Sequence, residues 1–425
     1  MSDSIFAISS GSPPAAIGVI RVSGPEAGVA LKRLAGRTFT PRRASLTTLR
    51  DMTGEPLDSV LVLWFPGPNT VTGEDLAELH CHGGRAVLSA VSKALAAISG
   101  LRAAEAGEFT RRAFANGRID LAEAEGLGDL LSAETELQRA AAIQMAGGAF
   151  SAQVDAWRSE VLQLSAQIEA ALDFSDEDDV SELPPQFASD LAVLSGELGQ
   201  WLARPRAEKL GEGYRVVFAG PPNSGKSTLF NALIESEAAI TSDIAGTTRD
   251  VIERNVAISS IPFSFVDTAG LRDRSSDTIE QIGIDRAQDQ IGRADLVLWL
   301  GAESEGPAGS WEIAARKDAS DFVPKASARF EVSAATGQGI AELKQALVEV
   351  ARGAMPRPGE AALNARQHAV LSDAAQALRG AGQQTDLLLC AEELRQARAA
   401  FDRLIGKATT EDMLDALFGR FCIGK

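Results

Sequence analysis

The chain has 425 residues, a formal net charge of −17 at pH 7 and three cysteines. This length predicts two or three domains with their own hydrophobic cores. The acidic balance argues against a protein that holds nucleic acid by electrostatics alone, and leaves room for a local basic patch or a partner that does so. The cysteine spacing fits neither a disulfide framework nor a metal site, and neither a signal-like segment nor an apolar run of about 18 residues is present. We therefore expect a cytoplasmic protein without a membrane span.

The first 118 residues alternate β-like runs with helical segments. Residues 5–8, 17–22 and 60–64 have strand character, and glycines and prolines punctuate them. The trio His80–Cys81–His82 has metal-ligating side chains, but further ligands are missing nearby, so packing and turn roles are favoured. This zone is predicted to be an α/β domain.

Two helical zones follow, separated by a third segment. Residues 119–209 are rich in Ala, Leu and Glu, with an acidic run at 176–179 that is typical of a solvated helix end. Residues 355–425 are helical again after a proline-containing linker. We predict one discontinuous helical domain, with residues 210–354 inserted into it. Three consecutive independent domains are the alternative.

The inserted segment contains a phosphate-binding loop. Residues 220–227, GPPNSGKS, fit the pattern G-x-x-x-x-G-K-[ST] at every position. A strand-like run, 214–219, precedes the loop, and a helical run, 228–234, follows it. The backbone amides are expected to wrap a phosphate chain, while Lys226 neutralises the β- and γ-phosphates and Ser227 holds Mg²⁺.

Three further motifs follow in the order of a Ras-like GTPase. Thr248, in GTTRD, is a candidate to complete the metal site. The segment 267–270, DTAG, follows a strand, so Asp267 can hold the Mg²⁺ shell through water while the Gly270 amide senses the γ-phosphate. The segment 333–335, SAA, follows another strand-like run, 329–332, and is predicted to contact a purine base. Together these motifs predict a GTPase domain over residues 210–354.

Two positions depart from the usual GTPase pattern. The guanine-reading Asn-Lys-x-Asp is replaced by residues 315–318, ARKD, in which Asp318 keeps the carboxylate that accepts from guanine. Leu271 occupies the position of the Gln that orients the attacking water in Ras-type enzymes. Guanine is still favoured over adenine, and the catalytic polar group must lie elsewhere.

These residues carry a family resemblance. They are the segments GPPNSGKSTLFNAL, SDIAGTTRD, DTAGLR and IEQIGIDRA, the N-terminal GVIRVSGPEA and GEFTRRAFANGRIDLAEAE, and the terminal CIGK. Through these segments the chain resembles the tRNA-modification GTPase MnmE (TrmE) family over essentially its whole length. The resemblance implies an α/β plus α fold class. It implies an N-terminal α/β tetrahydrofolate-binding and dimerisation domain, 1–118, a helical domain, 119–209 and 355–425, and an inserted Ras-like G domain, 210–354.

The resemblance also implies an activity. Family members are homodimers that hydrolyse GTP with Mg²⁺ and K⁺. With the FAD-dependent partner MnmG, in a heterotetramer, they modify the wobble uridine of certain tRNAs at carbon 5 by carboxymethylaminomethyl or aminomethyl addition. Formyl-tetrahydrofolate supplies the one-carbon unit. A regulatory ribosome or RNA assembly GTPase and a scaffold that binds nucleotide poorly are the alternatives.

The resemblance assigns individual residues. Glu280 orients the attacking water and, with Lys226, is assigned to catalysis. Mg²⁺ ligands are Ser227 and Thr248. The K⁺ ligands are Asn223, Ser242, Ile244 and Thr247. The folate contacts are Arg21, Glu78, Arg118 and Lys425, of which the arginines taken singly would be ordinary surface charges. The nucleotide-binding set consists of Asn223, Ser224, Gly225, Lys226, Ser227, Thr228, Ser242, Asp243, Ile244, Ala245, Gly246, Thr247, Thr248, Asp267, Thr268, Ala269, Gly270, Asp318, Ser333 and Ala334.

Overall fold

The structure, a computed structural model, describes residues 3–173, 183–235, 238–239, 252–268 and 288–424. The chain divides into two compact units. The first comprises Met1–Gly128, Phe150–Arg158 and Arg398–Lys425, and the second comprises Asp129–Ala149 and Ser159–Ala397. Within the described residues, every helix is too short or too polar to cross a membrane.

The first unit is built on a six-stranded sheet in the order β3-β4-β5-β2-β1-β6. Its strands are β1 Ser4–Ile8, β2 Ile17–Ser23, β3 Ser45–Arg50, β4 Pro56–Phe65, β5 Leu76–His82 and β6 Leu101–Ala103. All neighbouring pairs are antiparallel except β1 and β6, which are parallel. The predicted strands in this zone are therefore present: β1 and β2 are one residue longer than the predicted runs, and β4 begins and ends outside its predicted run.

One face of this sheet is covered by helices. Helices α1 Ala27–Ala35 and α2 Arg85–Ala96 pack their apolar sides against it. Alternate residues along a strand point to opposite faces. Ile20 and Leu79 are fully buried on the helix-covered face, so Arg21 and Glu78, their neighbours in sequence, lie on the opposite face.

The first unit also contains a helical part and the end of the chain. The next helices along the chain after α2 are α3 Glu108–Ala115, α4 Leu121–Ser132, α5 Glu136–Ala146 and α6 Ala149–Asp173. Of these, α5 and the part of α6 after Arg158 belong to the second unit. On α6, the fully buried Trp157 lies with its ring centroid 6.0 Å from that of Phe401. The tail after α13 Glu411–Phe418 forms an isolated bridge between Ile423 and Ala106. The Ser9 hydroxyl donates to the Gly424 carbonyl over 2.9 Å. The tail is therefore held against the sheet domain.

The second unit is built on a seven-stranded sheet in the order β13-β12-β11-β7-β10-β9-β8. Its strands are β7 Tyr214–Ala219, β8 Ala238–Ala239, β9 Ile252–Ile258, β10 Ile261–Asp267, β11 Leu296–Trp299, β12 Trp311–Ala314 and β13 Phe330–Glu331. Strand β7 lies between β10 and β11 and is parallel to both. Helices α9 Lys226–Ile234 and α10 Ile340–Ala354 contribute Leu229 and Leu343 to the core over this sheet.

The connection between β11 and β12 is unusually short. These strands are parallel, and parallel neighbours are usually joined by a helix, but residues 300–310 contain turns and bends only. The Trp299 ring fills the turn. A Cβ atom on Gly301 or Gly306 would approach that ring within 2.3 or 2.8 Å, so only glycine fits at either position.

The remaining helices are α7 Phe187–Leu202, α8 Glu208–Glu212, α11 Ala365–Ala381 and α12 Leu387–Leu404. In the second unit, α7 packs against α11, although the seven-stranded sheet separates them in sequence. Asn364 begins α11 with a capping box that includes Gln367. The division into domains at residues 118, 209 and 354 remains a prediction. The acidic run at 176–179 lies outside the described residues.

Candidate functional site

The phosphate-binding loop joins β7 to α9. Its first and last glycines, Gly220 and Gly225, have φ angles of +146° and +93°, which side chains disfavour. A Cβ on Gly220 would also lie 2.9 Å from the Gly301 amide nitrogen. The loop therefore needs glycine for its own conformation and for the close approach of the segment after β11.

Lys226 is held inside the loop. It is 5% exposed, and its Nζ donates to the carbonyls of Gly220 and Pro221 over 3.0 and 2.7 Å. Because α9 begins at Lys226, the positive end of the helix dipole adds to the lysine charge. The loop thus presents a positive, concave surface suited to a phosphate chain.

Ser227 and Asp267 bring the loop to the end of β10. The Ser227 hydroxyl donates to Asp267 Oδ2 over 2.6 Å, and Asp267 is 1% exposed. Next to it, the Thr268 hydroxyl donates to the Phe218 carbonyl over 2.7 Å. A hydroxyl and a carboxylate at this distance are hard oxygen ligands of the kind that Mg²⁺ prefers, so the pair fits that metal.

The base-reading segments lie at the ends of β12 and β13. The Ser333 hydroxyl donates to Asp318 Oδ1 over 2.5 Å, and this hydrogen bond lowers the pKa of Asp318. Ser333 itself is fully buried, and its hydroxyl holds the Asp318 carboxylate by this hydrogen bond. Arg316 has a φ of +61°, and its Cγ comes within 3.4 Å of the position of a Cβ on Gly225. The base-reading segment therefore contacts the phosphate loop.

A single cavity of about 1090 Å³ joins these parts. The phosphate loop, including Asn223, lies at one end, and Ala315, Asp318 and Ala334 lie at the other. Asn223 has a φ of +62°, a conformation that Asn tolerates better than most residues. Gly225, Ser227, Thr228 and Thr268 also line this cavity, whereas Ser224 is not among its lining residues and has a buried hydroxyl. A site with the Lys226 cation at one end and the Asp318 carboxylate at the other suits a nucleotide.

Several predicted site residues lie outside the described residues. They are Ser242, Asp243, Ile244, Ala245, Gly246, Thr247, Thr248, Ala269, Gly270, Leu271, Glu280 and Lys425. Their roles in K⁺ binding, Mg²⁺ binding, water orientation and folate binding remain predictions from the sequence.

A second polar cluster lies on the first unit's sheet. Arg21 and Glu78 are paired across β2 and β5, with Arg21 Nη2 3.0 Å from Glu78 Oε1. His80 Nε2 lies 3.4 Å from Glu78 Oε2. The third predicted folate contact, Arg118, is exposed, and its Cγ lies 3.3 Å from the position of a Cβ on Gly73. The sequence analysis considered His80 only as part of the His80–Cys81–His82 trio and favoured a packing or turn role, although its two-residue spacing from Glu78 in a strand indicates a shared face.

The cysteines have different surroundings. Cys81 is buried on the face opposite His80, and burial, with a smaller contribution from Asp58, raises the pKa of its thiol to about 12. Cys390 is also buried, and burial raises its pKa. Cys422, in the terminal tail, is exposed.

Two family models match the chain. The GTP-binding protein TrmE N-terminus matches residues 4–118, and the MnmE helical domain matches residues 121–422. The tRNA modification GTPase MnmE of Erythrobacter litoralis is 62% identical over 423 residues, covering 100% of both chains. The chain belongs to the MnmE family. The MnmE of Novosphingobium aromaticivorans is 61% identical over 437 residues, again with 100% of both chains covered.

Family membership confirms the resemblance inferred from the sequence motifs. Among solved structures, the G domain of the T. maritima FeoB iron transporter is 25% identical and covers 32% of this chain and 98% of that chain. The TM-score of that match is 0.24. The MnmE relatives, matched along their whole length, favour a tRNA modification GTPase over a ribosome assembly GTPase.

Proposed function

We propose that this chain is a K⁺-activated, Mg²⁺-dependent GTPase that, with the FAD-dependent partner MnmG, modifies the wobble uridine of certain tRNAs at carbon 5. It is a GTP hydrolase that acts in tRNA modification. The observation that carries the proposal is the joined cavity, in which the phosphate loop and the Asp318 carboxylate face one nucleotide-sized space.

In the proposed reaction the chain's residues bind and orient GTP. Lys226 exchanges its bonds to the loop carbonyls for the β- and γ-phosphates, and so neutralises charge that develops during phosphoryl transfer. Asp318 accepts from the guanine edge. Ser227 and Asp267, which already meet, would hold Mg²⁺, and the metal supplies neutralisation of phosphate charge when bound.

Leu271 and Asn223 indicate how the attacking water is oriented and how the charge of the transferred phosphate is balanced. A leucine cannot hydrogen-bond to water, so we assign that task to Glu280. Asn223 lines the cavity and would provide a K⁺ ligand together with Ser242, Ile244 and Thr247. Potassium supplies a positive charge at the transferred phosphate when bound, and thereby takes the part of an arginine finger.

The sheet face of the first unit would bind formyl-tetrahydrofolate. A pterin ring offers adjacent N–H donors that a carboxylate such as Glu78 can accept, and the anionic glutamyl tail suits Arg21, Arg118 and Lys425. The same face exposes Leu46 and Leu61, which pair across β3 and β4. These leucines support the proposal that the domain forms a homodimer.

The decisive experiment is analysis of modified nucleosides in tRNA from cells that lack this protein. Carbon-5 modification of the wobble uridine is expected to disappear, to return with the parent chain, and not to return with Lys226→Ala. Normal modification in the deletion strain would contradict the proposal. A ribosome assembly defect with intact modification would instead support the alternative function.

A further inference from the structure

One segment of this acidic chain is strongly basic. Residues 27–50 carry six Lys or Arg residues and no Asp or Glu, in a chain with 58 acidic residues among 425. The segment spans α1, β3 and the turn between them. A local reversal of charge of this kind indicates a surface with its own binding role.

Five of the six cations form an exposed surface that we call the basic edge. Lys32 and Arg33 lie in the last turn of α1, and Arg37, Arg42 and Arg43 lie in the turn into β3. All five are exposed. Helix α1 packs against β3, which is the edge strand of its sheet. The chain therefore brings the five cations to one border of the first unit.

Among the residues that the structure describes, no carboxylate forms an ion pair with a cation of the basic edge. In the part of the chain that the structure describes, Arg37 donates to the Leu46 carbonyl over 2.7 Å and lies 5.0 Å from the Phe39 ring centre. Arg42 donates to the Asn69 carbonyl and lies 5.7 Å from the Phe65 ring centre. These contacts hold the guanidinium groups in place and leave their charge uncompensated.

Three exposed arginines elsewhere in the chain differ. Arg139, Arg293 and Arg395 each pair with a carboxylate one helical turn away, at 2.5, 3.4 and 2.7 Å respectively. The positive charge of the basic edge, which has no such partner among the described residues, is therefore available to a molecule outside the chain.

We propose that the basic edge binds the phosphate backbone of the substrate tRNA. The inference rests on the proposed function, which supplies tRNA as the substrate. Exposed lysine and arginine side chains neutralise phosphates and release counterions, which gives affinity without sequence readout. A lipid surface is less well matched, because membrane-bound helices present a broad apolar face, whereas Leu31 and Leu34 of α1 are buried in the core. The basic edge thus offsets the repulsion between an acidic chain and a polyanion.

The test compares two full-length variants that lose the same charge. One is the triple variant Arg33→Gln/Arg37→Gln/Arg43→Gln, and the control is Arg139→Gln/Arg293→Gln/Arg395→Gln. Binding of fluorescently labelled tRNA is measured by anisotropy between about 50 and 200 mM salt. The basic-edge variant is expected to bind more weakly at low salt, with a slope of log affinity against log salt that is smaller by about three. The control is expected to match the parent, and GTP turnover without tRNA is expected to be equal in all three.

Equal tRNA affinity and equal salt slopes in the two variants would overturn the inference. So would a parent chain that does not bind tRNA by itself. Vesicles with anionic lipid provide a second arm: loss of vesicle binding with unchanged tRNA binding would assign the basic edge to a membrane instead. Nucleoside analysis of tRNA in the deletion strain separates the proposed function from the proposed role of the basic edge. If the parent chain restores the modification, the proposed function stands, whatever the binding measurements show for the basic edge.

Discussion

Ser227 and Asp267 meet at 2.6 Å, which joins the end of the phosphate loop to the end of β10. The two residues are 40 positions apart in sequence and are brought together because β7 and β10 are parallel neighbours whose carboxyl ends coincide. Asp267 is paired in register with Phe218, one residue before the end of β7. Backbone hydrogen bonds hold the two strands together, so a change confined to the charge of Asp267 is expected to alter metal binding before it alters the fold.

Asp267→Asn tests this contact. The amide is isosteric but lacks the negative charge that favours a divalent cation, and loss of an outer ligand typically costs about 10- to 100-fold in metal affinity. We expect the Mg²⁺ concentration that gives half-maximal GTP hydrolysis to rise by that factor. A magnesium titration of GTP turnover measures it. An unchanged midpoint, with an unchanged melting temperature as the folding control, would place the metal elsewhere.

Potassium dependence follows from Leu271 and Asn223. GTP turnover is expected to be faster in potassium than in sodium, because the cage must match the larger ion. The informative variant is Asn223→Gly, since glycine accepts the φ of +62° and removes only the side chain. It is expected to lose most of the potassium stimulation and to keep nucleotide binding through Lys226. Equal turnover of the parent in the two salts would contradict the assignment.

The hydrogen bond between Ser333 and Asp318 predicts how the affinity for GTP depends on pH. The hydrogen bond from Ser333 lowers the pKa of Asp318 below its ordinary 3.8. The carboxylate is therefore ionised throughout the neutral range, and its contribution to GTP affinity is lost only as the pH falls through the lowered pKa. GTP affinity is expected to be constant between about pH 5 and 8 with respect to this group. Ser333→Ala is expected to move the loss to higher pH.

The substitution Asp318→Asn is expected to weaken GTP binding about tenfold or more, since a hydrogen-bonded charge is lost, and to relax the preference over xanthosine triphosphate. Asp321→Asn is the matched control, because Asp321 is exposed in the same loop and pairs with Arg316. Nucleotide titrations monitored by calorimetry measure both. If Asp318→Asn binds GTP as the parent does, the guanine-reading segment is not residues 315–318.

The sequence predicted the phosphate loop well because its signal is local. The pattern fixes glycine positions, and the flanking strand 214–219 matches β7 residue for residue. The helix begins at Lys226, two residues before the predicted start, because the loop lysine and serine already adopt helical geometry. Strand β11 spans only Leu296–Trp299, although the apolar run continues to Leu300, because the chain there enters the turn that Trp299 fills.

Contacts between distant residues were harder to predict. The pairing of Ser227 with Asp267 depends on strand order, and that of Asp318 with Ser333 depends on register between β12 and β13. Neither follows from composition or spacing. The basic edge can be recognised in the sequence as a run of positive charge. Its location at a sheet border, and the fact that the described residues offer it no carboxylate partner, could be seen only in the structure.

Glu280→Ala tests the assignment of the attacking water. Because Leu271 cannot orient water, we expect GTP turnover in potassium to fall by roughly 10²- to 10⁴-fold. GTP binding is expected to survive, since the loop and Asp318 make the nucleotide contacts. Stopped-flow binding and single-turnover hydrolysis separate the two effects. Parental turnover in the variant would move the role to another acidic group, such as Asp277 or Asp285.

Glu78 is predicted to control folate binding independently of GTP. Its two carboxylate oxygens are oriented by Arg21 at 3.0 Å and by His80 at 3.4 Å, which fixes the plane in which a pterin edge can donate. Glu78→Gln keeps the shape, replaces one acceptor by a donor, and is expected to lower affinity for formyl-tetrahydrofolate about tenfold or more. GTP turnover is expected to be unchanged.

His80 supplies a graded control for the same experiment. His80→Gln retains an N–H donor, so this variant is expected to bind formyl-tetrahydrofolate nearly as the parent does. His80→Ala leaves one oxygen of Glu78 without its orienting partner, so this variant is expected to bind formyl-tetrahydrofolate more weakly. Calorimetric titration of the three variants and the parent gives the order. Folate affinity that is the same in the parent and in Glu78→Gln would show that the pterin is recognised elsewhere, because an amide cannot accept two hydrogen bonds in the geometry that a carboxylate offers.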